Sequence, residues 1–283
     1  MVVDHPWPAP AKLNLFLHVV GRRADGYHLL QSVFQFLDHC DLIHFSVHDR
    51  DEVRRVSVLP GVAPAQDLVV RAAQLLRQEC GYRGGVDIRM DKHLPMGGGL
   101  GGGSSDAATT LVALNHLWQL NLSLDALAAL GLRLGADVPV FVRGQAAWAE
   151  GVGERLAPVV LPEPWFVVLV PPVSVSTAEV FTDPQLTRNC TPITIRDFLH
   201  GAGGNVCESV VRRRHPQVAA ALDWLATRAP ARMTGTGACV FAAFENEFAA
   251  RATLAARPAG LDGFVARGLN RSPLLARLES CES

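Results

Sequence analysis

Common metal and redox motifs are missing from this sequence. Its six cysteines stand far apart without any C-x-x-C pair, which argues against a zinc site and against a disulfide framework. The ten histidines include no H-E-x-x-H, so we expect no transition metal held by the protein. Unpaired cysteines also favour the reducing cytoplasm as the compartment.

The sequence also lacks a long apolar run and an excess of charge of either sign. No apolar stretch approaches the roughly 20 residues that span a bilayer, and residues 1–10 hold Asp4 and three prolines instead of a secretory signal. With 26 basic and 27 acidic residues the formal net charge is -1, so we expect neither a nucleic-acid nor a membrane partner. The 283 residues, 49% of them hydrophobic, predict a soluble globular protein of one or two domains.

The most distinctive stretch runs from Pro95 to Asp106, where Met96 and Leu100 are the only bulky apolar residues between the proline and the serines. Glycine in such density is costly unless the chain needs positive φ values or a ligand must approach bare backbone N–H groups. Apolar residues then recur at helical spacing: Ala107, Leu111, Leu114 and Trp118. The glycines are therefore expected to open a helix capped by Ser104 or Ser105, and its N-terminus predicts a polyphosphate site.

This stretch differs from two other glycine-rich motifs that bind phosphates. Gly97, Gly99 and Gly102 also satisfy the dinucleotide pattern G-x-G-x-x-G, but Asp125, near the expected distance, lies between two helical stretches and not after a strand. No lysine follows the glycines, so the triphosphatase loop G-x-x-x-x-G-K-[ST] is absent. A flexible linker is the simplest alternative, and the capped helix that follows argues against it.

Before the glycines, residues 11–20 alternate with period two, which predicts a strand with Lys12 and Asn14 on one face. A solvated face is the ordinary alternative for such a lysine. A glycine-bounded turn at 21–26 then predicts a β-hairpin. Three side chains near it could stack on or hydrogen-bond a planar ring, or could form an ordinary aromatic patch: Tyr27, His28 and Phe34.

A carboxylate stands at a bend in the middle of the chain. The pattern predicts a helix over residues 124–134, capped by Ser123, and a strand over residues 138–143. Asp137 falls between them, where Gly135 ends the helix. A turn or cap carboxylate is the alternative to a functional one.

The second half begins after the prolines of residues 158–164, which we take as the boundary between domains 1–157 and 158–283. A strand over 165–170, a short helix from Thr177 and a second glycine turn before a strand at 239–244 follow in mixed order. This order predicts an α+β fold, not a regular βαβ alternation.

Three separated stretches, Pro10–Asn14, Pro95–Ser105 and Thr234–Val240, together resemble the motifs of the galactokinase, homoserine kinase, mevalonate kinase and phosphomevalonate kinase (GHMP) superfamily. Two more, Arg23–His28 and Leu134–Phe141, resemble its branch that phosphorylates a cytidine-diphosphate-linked methylerythritol in non-mevalonate isoprenoid biosynthesis. The resemblance covers essentially the whole chain. It implies an α+β, two-domain GHMP kinase fold, ATP-binding in the first domain, with the active site in the cleft between the domains.

The resemblance also implies the chemistry. Asp137 would be the general base that takes the proton of the substrate's 2-hydroxyl, and Lys12 would lie beside it and steady the transferred phosphoryl group. ATP would be the phosphoryl donor, with Mg²⁺ carried on its phosphates and contacted at most by Ser105. The partner would be a small molecule, and the chain a monomer or homodimer. A mevalonate or homoserine kinase, a non-catalytic nucleotide-binding protein and a nicotinamide oxidoreductase are the alternatives.

The other site residues follow from the resemblance position by position. For ATP they are Asp67, Lys92, Pro95, Met96, Gly97, Gly98, Gly99, Leu100, Gly101, Gly102, Gly103, Ser104 and Ser105. For the cytidine substrate they are Asn14, Tyr27, His28, Phe34, Thr177, Phe181, Gly235, Thr236 and Gly237. Tyr27 and Phe181 would flank the cytosine, and His28 would bond its edge. Asp67 stands where the family commonly has an adenine-contacting Asn, and an ionised carboxylate donates no hydrogen bond, which counts against that contact.

Overall fold

Two long antiparallel strands frame the fold, β1 (Trp7–Arg22) and β2 (His28–His48). They form the predicted hairpin and pair along most of their length, with Lys12 opposite Phe36 and Asn14 opposite Phe34. The structure, a computed structural model, describes residues 5–282. None of the helices in that part of the chain is long and apolar enough to cross a bilayer.

The other elements follow in mixed order, as expected for an α+β fold. The remaining strands are β3 (Val53–Arg55), β4 (Gly85–Asp91), β5 (Ala147–Gly151), β6 (Arg155–Pro158), β7 (Trp165–Val170), β8 (Ala231–Met233), β9 (Val240–Phe244) and β10 (Asp262–Leu269). The helices are α1 (Leu68–Cys80), α2 (Gly102–Leu117), α3 (Leu124–Leu132), α4 (Val138–Arg143), α5 (Thr177–Thr182), α6 (Ile195–Leu199), α7 (Cys207–Arg214), α8 (Pro216–Ala226), α9 (Glu247–Ala255) and α10 (Pro273–Glu282), with a 3₁₀ turn at Pro64–Gln66.

One sheet runs through both halves of the chain. Its order is β3-β4-β2-β10-β7-β9-β8, with β1 and β5 also paired to β2 and β6 paired to β5. Strand β10 connects the halves, because it pairs with β2 at one end and with β7 along its length. The pairs are antiparallel apart from β3 with β4.

Each half has its own apolar core. The first contains buried side chains of α1, α2, α3 and α4 and of the β1–β2 hairpin, and the second packs α7 and α8 against β7 and β9. Leu274 of α10 is buried in the first core although it lies near the end of the chain. The boundary after residue 157 stays a prediction.

Two local predictions were wrong. The helix after the glycines begins at Gly102 with Gly101 (φ 74°) in the cap position, and Ser104 and Ser105 lie inside its first turn and do not cap it. Residues 138–143 form helix α4, not a strand, because Pro139 fits the first turn of a helix and Gly144 (φ 61°) ends it. An apolar run of that length suits either structure when all sides are buried.

Candidate active site

A cleft of about 1210 Å³ lies between the β1–β2 hairpin, the glycine-rich loop of residues 95–101, and the starts of α2, α4 and α5. The predicted site residues all line it apart from Ser105 and Gly237. Ser105 is fully buried behind it. Gly237 packs against protein atoms instead, since an added Cβ there would lie 3.0 Å from Met233 Sδ. Lys12 and Lys92, the two lysines of the whole sequence, both line the cleft.

Lys12 and Asp137 come together although they are far apart in the sequence. Lys12 Nζ lies 3.4 Å from Asp137 Oδ2, and it donates hydrogen bonds to Asn14 Oδ1 at 2.5 Å and to Gly99 O at 3.1 Å. Lys12 is 2% exposed, so the solvated face considered for this strand is wrong. The Asp137 side chain is 36% exposed at the start of α4. A buried cation thus lies beside a carboxylate that a ligand in the cleft can reach.

The glycine-rich loop packs against the second glycine turn, backbone to backbone. Thr234 Oγ1 accepts from the Asn14 N–H at 3.0 Å and donates to Gly99 O at 3.1 Å, while the Cys239 N–H donates to Gly98 O at 3.1 Å. A Cβ on Gly99 would lie 2.3 Å from Thr234 O. Gly99 also has φ 77°, so the predicted positive φ is confirmed there. The absence of side chains is therefore needed for loop packing as well as for ligand approach.

Gly99→Ala tests this packing. We expect it to lower the free energy of unfolding by about 2 kcal/mol and to weaken ATP binding roughly tenfold. The added methyl group would displace the second glycine turn and strain the backbone of the glycine-rich loop at Gly99. Chemical denaturation and calorimetric titration with ATP measure the two effects. Gly260→Ala is the matched control, since Gly260 has φ 79° with nothing within 4 Å of the added Cβ. Equal ATP affinity in the two variants would contradict this account of the loop.

A buried charge cluster that sequence reasoning missed lies beneath the start of α2. Lys92 Nζ donates to Asp106 Oδ2 at 2.6 Å and to Asp41 Oδ2. Asp41 Oδ1 accepts from the N–H groups of His93 (2.6 Å) and Leu94 (2.8 Å), which holds the chain leading into the glycine loop. Burial raises the pKa of the Asp106 carboxyl to about 7. The Lys92 ammonium lowers this pKa, and the nearby Asp41 carboxylate raises it.

The Asp106 pKa predicts a pH effect on stability. Because the folded-state pKa is raised above the ordinary value of 3.8, the protonated carboxyl stabilises the fold at low pH, and this contribution is lost as the pH rises through about 7. Asp106→Asn removes that titration. We therefore expect the unfolding free energy of the wild type, relative to Asp106→Asn, to fall between about pH 4 and pH 7. Denaturant titrations of both proteins across this range measure the difference, and a constant or rising difference would contradict it.

Asp67 lines the cleft, but both its oxygens already have protein partners. Oδ1 accepts from the Val69 N–H at 3.0 Å and so caps α1, and Oδ2 pairs with Arg55 Nη1 at 2.5 Å. Both side chains are 5% exposed. Here the residue that replaces the family's usual Asn caps a helix and binds an arginine.

The far end of the cleft carries the predicted base-binding residues. The rings of His28 and Phe181 stack with centroids 5.1 Å apart and planes at 23°, and Tyr27 is 65% exposed beside them. Phe34 is instead buried below Lys12, whose Nζ lies 5.4 Å from its ring centre. The Thr177 and Thr236 hydroxyls share a hydrogen bond of 2.9 Å, which joins α5 to the second glycine turn.

Arg188 contacts this end of the cleft and was not found from the sequence. Its Nε donates to His28 Nε2 at 3.1 Å. Burial lowers the pKa of His28, and the positive charges of Arg188 and Arg22 act in the same direction. Both effects favour the neutral imidazole. No motif marks Arg188, since it meets His28 only through the fold.

Family models and known proteins match both halves of the chain. Residues 67–145 match the GHMP kinases N terminal domain, and residues 192–261 match the GHMP kinases C terminal domain. The chain is 61% identical to 4-diphosphocytidyl-2-C-methyl-D-erythritol kinase from Nitrosococcus oceani, over 96% of this chain and 98% of that protein. It is 57% identical to the enzyme of that name from Pseudomonas paraeruginosa, over 99% of both.

Solved structures agree with these matches. A crystal structure of 4-(cytidine 5'-diphospho)-2C-methyl-D-erythritol kinase superposes with a TM-score of 0.81 at 32% identity, covering 93% of this chain and 99% of that one. A mevalonate kinase crystal structure gives 0.70 at 15% identity, covering 94% and 100%, which shows a shared fold alone. The matches that show the family are thus to kinases, which leaves the nicotinamide oxidoreductase alternative without support.

Proposed function

Because the chain belongs to the GHMP kinase family, and within it to the 4-diphosphocytidyl-2-C-methyl-D-erythritol kinases, we propose that it transfers the γ-phosphoryl group of ATP to the 2-hydroxyl of 4-diphosphocytidyl-2-C-methyl-D-erythritol. The products are the 2-phosphate and ADP, a step of non-mevalonate isoprenoid precursor synthesis. The observation that carries the proposal is the Lys12–Asp137 pair, 3.4 Å apart at the edge of the glycine-rich loop.

The pair supplies the two catalytic side chains, a base and a cation. Asp137 accepts the proton of the 2-hydroxyl as its oxygen forms a bond to the γ-phosphorus, and the bond from that phosphorus to the bridging oxygen of ADP breaks. Lys12 directs its positive charge at the transferred group. Its contacts to Asn14 and Gly99 fix the ammonium in one position, so it reorganises little during the transfer.

The glycine-rich loop holds the donor. Backbone N–H groups of residues 97–103 and the N-terminus of α2 bind the phosphates of ATP, since an unpaired N–H and the helix dipole both attract an anion. Met96, which is 58% exposed, Pro95 and Lys92 complete the nucleotide side of the cleft. Lys92 is bonded to the side chains of Asp41 and Asp106, so it is not a free cation.

Mg²⁺ fits this site as a companion of ATP. Within residues 5–282 no cluster of three or more His, Cys, Asp or Glu side chains could hold a metal, which suits an ion held mainly by phosphate oxygens. The Ser105 hydroxyl has no hydrogen-bond partner among residues 5–282, but it is buried behind the cleft and does not line it, so phosphate oxygens would form most of the shell of the ion. When bound, Mg²⁺ neutralises phosphate charge.

The cytidine end distinguishes this activity from that of mevalonate or homoserine kinases. His28, Phe181 and Tyr27 form an aromatic wall suited to a base, which those substrates do not carry. A protein that only binds nucleotide would not need both Lys12 and Asp137. We also propose a cytoplasmic monomer or homodimer, consistent with six cysteines that are free of disulfides.

Incubation of the purified protein with ATP, Mg²⁺ and 4-diphosphocytidyl-2-C-methyl-D-erythritol tests the proposal. We expect ADP in a coupled assay and a new phosphomonoester signal in the ³¹P spectrum, with mevalonate and homoserine giving no ADP above background. A folded sample without turnover would sink the proposal. Turnover of mevalonate or homoserine alone would reassign the substrate.

A further inference from the structure

Arg188 holds one edge of the His28 ring and three carbonyl groups of the segment that carries Phe181. Its Nε donates to His28 Nε2 at 3.1 Å, and its Nη2 donates to Phe181 O and Asp183 O at 2.8 Å each. Its Nη1 donates to Leu186 O at 3.1 Å. A planar guanidinium with all three nitrogens in use can take few other positions. The two stacked rings of the wall are therefore placed by one side chain.

The contact with His28 determines where the imidazole proton lies. A guanidinium only donates hydrogen bonds, so His28 Nε2 must be the acceptor and must carry a lone pair. The proton of the neutral ring is then on Nδ1. Within residues 5–282 no protein group bonds to Nδ1, and the ring lines the cleft. His28 thus offers a ligand an N–H donor and not an acceptor.

We propose that Arg188 is a positioning residue that fixes His28 as an Nδ1–H donor and thereby selects a pyrimidine whose N3 is an acceptor. This inference rests on the proposed function, since it concerns the base of that substrate. Cytosine N3 carries a lone pair, whereas uracil N3 carries a hydrogen that would face the His28 N–H. Two donors in contact leave both without a partner, so a uridine-linked analogue is rejected.

The same segment supplies a matched control. The Asp183 side chain is 2% exposed and pairs with Arg213 Nη2 at 2.9 Å and with Arg214 Nη2 at 2.5 Å. Removing Arg213 takes a cation and an anchor from this segment without touching His28. A variant of Arg213 therefore distinguishes a loss of anchoring of the segment that carries Phe181 from a loss of the Arg188–His28 contact.

The first test needs neither turnover nor a variant of Arg188. In ¹⁵N-histidine-labelled wild-type protein, with the His28 signals identified by comparison with His28→Gln, long-range ¹H–¹⁵N spectra report which ring nitrogen is protonated. We expect the Nδ1–H form of His28. The Nε2–H form would overturn the proposal whether or not the protein is a kinase.

The second test measures base selection directly. With the ATP site filled by a non-hydrolysable ATP analogue and Mg²⁺, calorimetric titration should show CDP binding at least tenfold more tightly than UDP. Arg188→Met should reduce this preference to about twofold, Arg213→Met should retain it, and Arg188→Lys should fall between them. An unchanged preference in both Arg188 variants would overturn the proposal. If CDP fails to bind the wild type, the proposed substrate is wrong, and the NMR result still decides the tautomer.

Discussion

Asp137→Asn is expected to lower kcat by about a hundredfold or more while ATP binding stays nearly unchanged. The amide keeps the shape of the side chain but cannot take up the proton of the 2-hydroxyl. Asp137 lies 3.4 Å from Lys12 at the cleft surface. We therefore expect the loss of its carboxylate to affect proton transfer from the 2-hydroxyl and to leave the glycine-rich loop in place. Steady-state kinetics with saturating substrates and calorimetric titration with ATP measure the two quantities, and Asp137→Ala should give the same result.

A neighbouring carboxylate provides the control for this experiment. Asp125 on α3 pairs with Arg143 of α4 at 3.0 Å, and its side chain is 79% exposed. Asp125→Asn removes an aspartate close to the same helix without entering the cleft, so kcat should stay within about twofold of the wild type. Unchanged kcat in Asp137→Asn would mean that another group is the base.

Lys12→Met is expected to lower kcat by about a hundredfold to a thousandfold. Its ammonium is buried among Asn14 Oδ1, Gly99 O and Asp137 Oδ2, so its loss removes the cation beside the transferred group and leaves acceptors without a donor. The loss should appear mainly in kcat, with a smaller rise in the KM for ATP. Single-turnover kinetics separate the chemical step from product release.

Lys12→Arg tests whether charge alone suffices. A Cβ on Gly101 would lie 3.0 Å from Lys12 Cε and 2.8 Å from the Phe141 ring, so little room remains around the lysine stem. We expect the larger guanidinium to restore less than a tenth of the activity. Thermal unfolding of both variants identifies any loss of fold. Wild-type kcat in a folded Lys12→Met protein would remove Lys12 from the mechanism.

The features that could be predicted from the sequence are those that short segments determine. Period-two alternation and the glycine-bounded turn at residues 21–26 predicted the β1–β2 hairpin, and glycine density predicted the positive φ at Gly97, Gly99 and Gly101. Helix α4 was mistaken for a strand because its five consecutive apolar residues, 138–142, are all buried and show no period. The serine cap was wrong because Gly101 itself adopts the left-handed cap conformation.

The partners of the site residues could not be predicted, because they are made by contacts between distant segments. Asp41 lies on β2 and meets Lys92 because β2 pairs with β4, which places Leu42 opposite Asp91. Arg55 meets Asp67 across the 3₁₀ turn, and Arg188 meets His28 from the other half of the chain. Each has ordinary sequence neighbours, so neither periodicity nor a motif indicates it. The resemblance to the family located the reacting residues but not the residues that position them.

The most direct test of the central claim is a crystal structure with 4-diphosphocytidyl-2-C-methyl-D-erythritol and a non-hydrolysable ATP analogue bound together. The account predicts an Asp137 carboxylate oxygen within about 3 Å of the 2-hydroxyl, and Lys12 Nζ within about 4 Å of a γ-phosphate oxygen. A 2-hydroxyl bound away from Asp137, or a γ-phosphate beyond the reach of Lys12, would contradict it.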